Sequence, residues 1–313
     1  MSRAESYGLA VEIVEIEESE LAQFVAVRNA VWPHDPDSVE GLKDWKRQAE
    51  DMVWLLARDD GEIVSAGIGV VGWHSPPAVG RANVIVLQAA CGAGIGTAVF
   101  ARLGTWLKAR GCAEATGTIS DSDEASLEWA IRRGFVEVGR NSILALNLAT
   151  VEAPEVEPPP GVEIVTFAER PELARSMYEV CCEAVQDIPG EENAEIWSFD
   201  DWLANDMQGA SDRADATFVA LLEGEVVGWA KLSVQAGESQ IAWHDLTAVQ
   251  RAARGRGIAG CLKRAEIAWA KENGFQFLKT FNEERNEPIR RLNERHGYRV
   301  EPGFITVRGP LSG

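Results

Sequence analysis

Apolar residues recur at every second position in some stretches and at every third or fourth in others, and the two periods mark out the elements. Val11-Glu-Ile-Val-Glu-Ile alternates as a strand. Leu21, Phe24, Val25 and Val27 fall at helical spacing within Glu20 to Val31, and a second short helix is expected near Gly41 to Glu50. Between them lies a Pro-rich acidic loop, Trp32 to Asp37. Met52 to Arg58 and Ile63 to Val71 read as strands joined by the turn Asp59-Asp60-Gly61-Glu62. A further strand, Asn83 to Leu87, runs into Cys91-Gly-Ala-Gly-Ile-Gly and a helix from Ile95 to Arg110. Ala113 to Ile119 is a strand, Ser122 to Arg133 a helix, and Gly134-Phe135 opens a final strand pair. Residues 1–10 show neither period and read as a frayed tail.

Val151 to Gly161 combines proline and acid without periodicity, which favours an extended linker. Beyond it the pattern restarts. Val162-Glu-Ile-Val repeats Val11-Glu-Ile-Val, and Leu173 to Val185 is a helix. Thr217 to Leu222, the turn Glu223-Gly224-Glu225 and Val226 to Val234 repeat the hairpin. Three landmarks share one offset: 224 − 61, 257 − 94 and 297 − 134 are each 163. Two unrelated domains would not keep that spacing. The chain is therefore a duplication, with domains expected at 1–150 and 162–313 and the linker at 151–161. Each copy reads as strand, two helices, hairpin, strand–Gly turn–helix, strand, helix and final strands. That order gives an α/β class with a mixed sheet and helices on both faces.

Composition narrows the function classes. The 46% hydrophobic and 25% charged content is that of an ordinary globular protein. A net charge of −19 argues against a nucleic-acid partner, which would want a basic face, and is compatible with a cationic small substrate. No apolar run reaches the length of a membrane span, and the first residues carry no apolar signal core. Five cysteines without CxxC spacing read as reduced thiols of a cytoplasmic protein and hold no metal.

The densest chemistry lies at Asp245 to Lys263. A strand, Ile241 to Val249, enters a turn with Gly255 and Gly257 and opens a helix, Ile258 to Asn273. Glycines let the backbone approach a ligand closely, and free amides at a helix start suit a phosphate. Gly255-Arg-Gly-Ile-Ala-Gly260 also satisfies the dinucleotide pattern, with Glu283 downstream. Against that reading, the first copy has Thr97 at the third glycine, and an antiparallel hairpin precedes the turn. A P-loop is excluded because no Gly-Lys-Ser/Thr follows.

The order of elements and this turn resemble the GNAT superfamily of acetyl-CoA-dependent N-acyltransferases. The family's Gln/Arg-x-x-Gly-x-Gly/Ala is matched by Arg254-Gly255-Arg256-Gly257-Ile258-Ala259. Asn282, Asn286, Pro288 and Gly297-Tyr298 match later family positions. The resemblance spans both copies, so it implies two tandem GNAT-like domains. It implies that acetyl-CoA is bound by Thr247, Val249, Arg254, Gly255, Arg256, Gly257, Ile258, Ala259, Gly260, Asn282 and Asn286. The corresponding seat in the first copy is Val86, Gly92, Gly94 and Gly96, but Cys91 stands where Gln or Arg is expected.

Family members also place a base nine residues before the Gln/Arg position, here Asp245. An alkyl amine of pKa about 10.4 is neutral in roughly one molecule per thousand or fewer at pH 7, so a base is needed. Trp243, Asp245 and Thr247 share one strand face and His244 points the other way, unless a bulge turns it. An ordinary Asp is a feeble base without burial, whereas His244 has the better intrinsic pKa. The family's acidic tyrosine is replaced by Asn293, and the first copy has Ala82 in place of the base. The resemblance thus implies N-acetylation of a small amine in the second domain beside a first domain without catalysis. A non-catalytic acyl-CoA sensor is the alternative. The acceptor pocket is expected from Val180 to Met207, with Asp187, Glu191, Glu192, Glu195, Trp197, Phe199, Asp200, Asp201, Trp202 and Asp206. A monomer or a homodimer is expected.

Overall fold

The computed structural model describes residues 11–33, 36–72, 76, 78–188, 196–209, 211–234, 240–283 and 286–311. Glu191, Glu192 and Glu195 lie outside the described residues. The chain divides into two compact units, one of residues 1–140 with 304–313 and one of residues 141–303.

The first unit runs β1 (Glu12–Glu15), α1 (Leu21–Val31), α2 (Val39–Gln48), β2 (Asp51–Asp59), β3 (Glu62–Val71), β4 (Val79–Val86), α3 (Ile95–Lys108), β5 (Glu114–Ser120) and α4 (Glu124–Ile131). β6 (Val136–Asn147) then carries the chain into the second unit. That unit continues with β7 (Val162–Thr166), α5 (Ala174–Val185), α6 (Phe199–Asp206), β8 (Asp212–Leu222), β9 (Glu225–Ser233) and β10 (Ile241–Val249). It ends with α7 (Ile258–Glu272), β11 (Phe277–Glu283), α8 (Glu287–Arg295) and the start of β12 (Arg299–Pro310). Both hairpins turn on a pair of positive-φ residues, Asp60-Gly61 and Glu223-Gly224. This is the primed turn whose twist matches the flanking strands.

The sheet of the first unit has the order β1-β2-β3-β4-β5-β12 and that of the second β6-β11-β10-β9-β8-β7. Within each, the pairs β4–β5 and β10–β11 are parallel. Helices cover both faces. In the second unit Ile258, Leu262 and Ala265 of α7 pack with Phe218, Val227 and Ala230. Met177 and Val180 of α5 pack with Trp202 and Trp229 in a separate cluster.

One expectation from the sequence is corrected. No strand pair closes either copy; β6 and β12 are single long strands, and they are exchanged. Asn141 to Asn147 pairs antiparallel with β11, and Phe304 to Pro310 pairs antiparallel with β5. The compact units are therefore not the contiguous stretches 1–150 and 162–313. The cause is in the cores: Leu144, Leu146 and Leu148 are buried with Leu278 and Tyr298, while Ile305, Val307 and Leu311 are buried with Val99, Leu103 and Ala115. The proline-rich run 151–161 carries no helix or strand. It lies on α7 within its unit. Arg264 donates to the Glu157 carbonyl at 3.1 Å, Lys271 donates to the carbonyls of Leu148 and Val151, and Val156 packs on the α7 core.

Candidate functional site

β10 and β11 pair in register from Ile241↔Phe277 to His244↔Thr280, and there their ladder ends. Both strands continue, β10 to Val249 and β11 to Glu283. Thr247 and Val249 therefore lie beyond the last β10–β11 pair, still registered with Ala230 and Gly228 of β9. The parting of two parallel strands leaves backbone groups facing the gap free to bind an extended ligand.

The turn after β10 is built as the sequence expects. Gly255 (φ +77°) and Gly257 (φ +84°) both take the left-handed conformation, and Gly257 caps α7. No atom lies within 4 Å of a Cβ placed on Gly255, and for Gly257 the nearest is Pro159 at 3.9 Å. The space in front of the helix start is thus open, and its amides point there without a side-chain cap. Such a seat suits a diphosphate. Arg256 is exposed beside it. Arg254 is otherwise engaged: it donates to the Val249 carbonyl at 3.0 Å and pairs with Asp187 at 2.7 Å. Asp187 also pairs with Arg251 at 2.7 Å, and hydrogen bonds from both guanidiniums hold its carboxyl down at about 2. Asp187, expected in an acceptor pocket, thus anchors this turn.

Ile258 is buried, and Ala259 and Gly260 are partly buried. Asn293 of α8 is buried and donates to Asn282 Oδ1 of β11 at 3.0 Å, while its own Oδ1 has no hydrogen-bond partner. Asn286 caps α8 without a side-chain bond.

The register between β10 and β9 slips between His244 and Leu246, so Asp245 sits in a bulge with no partner on β9. Bulges re-aim side chains. Asp245 Oδ1 accepts from Ser233 Oγ at 2.8 Å, and Oδ2 lies 3.5 Å from Lys231 Nζ. Lys231 and Ser233 are registered with Leu246 and Trp243, so all share one face of the sheet. Trp243 stacks on Phe281 of β11 with centroids 4.5 Å apart, and Phe281 remains 41% exposed. Asp245 lies among dense protein atoms yet keeps 32% of its side-chain surface open. Burial pushes its carboxyl up to about 6, against the lowering effect of Lys231 and Ser233.

His244 lies apart from this group. It is buried, its Nε2 shares a hydrogen bond with the Tyr298 hydroxyl, and its Nδ1 is 3.0 Å from Glu266 Oε2 but misaligned for a hydrogen bond. Glu266 also lies 3.6 Å from Lys263. Burial holds the imidazole below its ordinary pKa and so neutral. The bulge re-aims the residue after His244, not His244 itself, and the structure does not bring His244 to Asp245.

In the first unit the same positions are arranged differently. Gly92 and Gly94 have φ of +82° and α3 starts at Ile95, so the turn is present. A Cβ on Gly96 would press on Val86 at 3.3 Å. The β3–β4 register runs without a bulge through Gly69↔Ala82. Beyond the β4–β5 ladder, Asn83 Oδ1 accepts from the Thr118 amide at 2.9 Å, a side chain spanning the gap.

The aromatic and acidic residues expected at the acceptor pocket divide. Trp202 is buried against Trp229, Tyr178 and Phe199 as core, and the Trp197 carbonyl accepts from Tyr178. Asp201 donates its amide to Ser198 in the cap of α6, and Asp200 lies in the same first turn. Among the described residues of this set, Asp206 reaches the Asp245 group, through Lys231 at 3.1 Å. Lys231, Ser233 and Asp212 were not foreseen; a lysine inside the apolar run Val226 to Val234 was the signal. Among the described residues no group of His, Cys, Asp and Glu is arranged to hold a metal ion, and no helix is long and apolar enough to cross a membrane.

Comparison with known proteins bears on the fold and the family. No curated protein matches the sequence. Among solved structures, a GCN5-related N-acetyltransferase from Sphaerobacter thermophilus superposes with a TM-score of 0.76 at 20% identity, covering 96% of each chain. A tandem GNAT protein from the clavulanic acid biosynthesis pathway gives 0.76 at 18%, covering 97% of this chain and 99% of the other. A GCN5-related N-acetyltransferase from Kribbella flavida gives 0.54 at 14%, covering 91% and 96%. These likenesses show the fold. The model of the acetyltransferase (GNAT) family matches twice, over residues 13–135 and 175–298. With two matches that together take in most of its length, the chain belongs to the GNAT acetyltransferase family.

Proposed function

We propose that the unit of residues 141–303 transfers an acetyl group from acetyl-CoA to a small amine by direct attack on the thioester, with Asp245 as the base. The observation that carries this reading is Asp245 in its bulge, beside the point where β10 and β11 part, with a carboxyl held at about 6. At neutral pH it is mostly ionised, and it is basic enough to take a proton from an incoming ammonium directly or through one water.

Acetyl-CoA supplies the thioester. The amides of Gly255 to Gly260 and the exposed Arg256 would hold its diphosphate, and Arg254 would add charge on release from Asp187. The gap between Thr247–Val249 and Phe281–Asn282 would take the pantetheine, with strand amides near Val249 offered to the thioester oxygen as charge develops there. Asn293 carries no acidic proton, so it can orient a water but cannot itself protonate the leaving thiolate. A thiol of pKa about 8.5 leaves tolerably without a strong acid. The amine would stand on the Asp245 face against Phe281. The first unit has Ala82 in place of the acid and Asn83 across its gap, so its role in this reading is structural. The protein would act in the cytoplasm on a small-molecule partner, without nucleic acid or membrane, as a monomer or homodimer.

A panel of small amines, cationic ones included, tests this with acetyl-CoA and a thiol-release readout. Turnover is expected with at least one amine, and Asp245→Asn is expected to lower it about 100-fold or more with CoA affinity unchanged. The kcat/KM profile should fall below about pH 6, where Asp245 takes up its proton. CoA binding without turnover of any amine would leave a non-catalytic acyl-CoA sensor instead.

A further inference from the structure

Building on the assignment of Asp245 as base, we propose that Lys231 is its positioning residue: a single buried ammonium, shared among Asp206, Asp212 and Asp245, holds the Asp245 carboxylate on the acceptor face in the ionised form the reaction needs. Lys231 is 2% exposed, two residues before the end of β9. Its Nζ lies 2.8 Å from Asp212 Oδ1, 3.1 Å from Asp206 Oδ1 and 3.5 Å from Asp245 Oδ2, and it donates to the Asp206 carbonyl.

An ammonium has three protons, and here three nearer oxygens take them while a fourth, on Asp245, lies farther off. Asp206 and Asp212 take the short contacts. Asp245 stands beyond hydrogen-bond distance and receives its direct bond from Ser233 instead. It feels the lysine as a charge, not as a bonded partner.

That division matters because either extreme would spoil a base. A carboxylate fully paired with a buried cation is held well below its ordinary pKa and accepts protons poorly. A buried carboxylate without a cation stays protonated and has nothing to accept with. The groups facing Asp245 are Lys231 and Ser233 from β9, Asp206 from the end of α6 and Asp212 from the start of β8. On β11, Lys279 is tied to Glu301 at 2.7 Å. Lysine lowers the Asp245 pKa, the two neighbouring aspartates raise it, and burial raises it further. Burial alone would lower the Lys231 pKa, but the three carboxylates overcome that and hold it above the ordinary lysine value. The ammonium therefore stays charged at any pH where the enzyme works.

The duplication supplies an internal comparison. At the 163-residue offset, Lys231, Ser233 and Asp245 correspond to Ile68, Val70 and Ala82. There the strands run in unbroken register. The lysine, the serine, the acid and the bulge are present together in one unit and absent together from the other.

Carboxyl carbon-13 NMR of the full chain labelled with [γ-13C]aspartate tests the proposal without needing an acceptor. The Asp245 signal is assigned by its loss in Asp245→Asn. In the parent protein it should titrate near pH 6. In Lys231→Met the midpoint should rise by about one unit or more, the usual effect of an opposite charge at this distance. In Lys231→Arg it should stay near the parent value, and in Asp212→Asn it should fall. An unchanged midpoint in folded Lys231→Met overturns the proposal. Should Lys231→Met not fold, Asp212→Asn decides, and a midpoint that stays or rises there is equally fatal. Failure of the base assignment looks different: Asp245→Asn would keep its turnover while the NMR shifts still followed Lys231.

Discussion

Asp245 and His244 are neighbours in sequence with opposite fates, and strand alternation accounts for most of the difference. That His244 would face away from Asp245 was readable from the alternation alone. What it would meet there was not, because Tyr298, Glu266 and Lys263 come from elements distant in the chain. The bulge was equally hidden: it is a mismatch between two strands, and one strand's residues do not encode it. Lys231 was visible as a charge in an apolar run, but not as the partner of an acid 14 residues later. The turn glycines were the most legible positions, because their role is local. Gly257 takes φ +84° and faces open space. Gly257→Val should therefore weaken CoA binding by the unit of residues 141–303 by at least 10-fold, through backbone strain and through a side chain in the seat. Isothermal titration with CoA checks this, and circular dichroism should show the fold retained.

At the scale of elements, hairpins and helices follow from short-range pattern and turn chemistry, and the sequence marks them to within a few residues, whereas the parting of β10 from β11 is a relation between two strands that neither one's residues encode. The last strand of each copy is different. Both are alternating runs after a Gly-aromatic pair, Gly134-Phe135 and Gly297-Tyr298, so nothing local says which neighbour each will join. The stretch where β12 leaves the second unit is tight: a Cβ on Gly303 would collide with the Asn141 carbonyl and come within 2.9 Å of Ser142 Cα. Backbone, unlike a flexible side-chain end, has little room to yield. Gly303→Val is therefore expected to destabilise the protein by about 2–3 kcal/mol, as overpacking does, measured by urea unfolding. Gly224→Ala, where nothing lies within 4 Å, should cost less, since backbone strain at φ +85° is its main penalty. The proline-rich run shows the reverse limit. Its composition reads as an extended connector, and that much is local; what it packs on is not, because the bonds by which Arg264 and Lys271 tie its carbonyls to α7 leave no local signature.

For the whole molecule, the duplication was legible through the constant offset of 163, whereas the exchange of strands was not. Residues 1–150 lack Ile305, Val307 and Leu311 from their core, and residues 162–313 lack Leu144, Leu146 and Leu148. Truncating a buried Leu or Ile costs about 2–5 kcal/mol, so losing three exceeds the usual stability of a domain. Each piece expressed alone should be aggregated or unfolded, whereas the two co-expressed should yield a soluble complex that binds CoA. Gel filtration and circular dichroism read this out, and a stable monomeric 1–150 would contradict it. The same exchange bears on biosynthesis. The sheet of the first unit needs Phe304 to Pro310, which are made only after the whole of the second unit, residues 141–303. Until those residues emerge, β5 stays an open edge of the kind on which nascent chains aggregate. The unit translated first is thus completed only after the second, and the cell must shelter it until β12 is made.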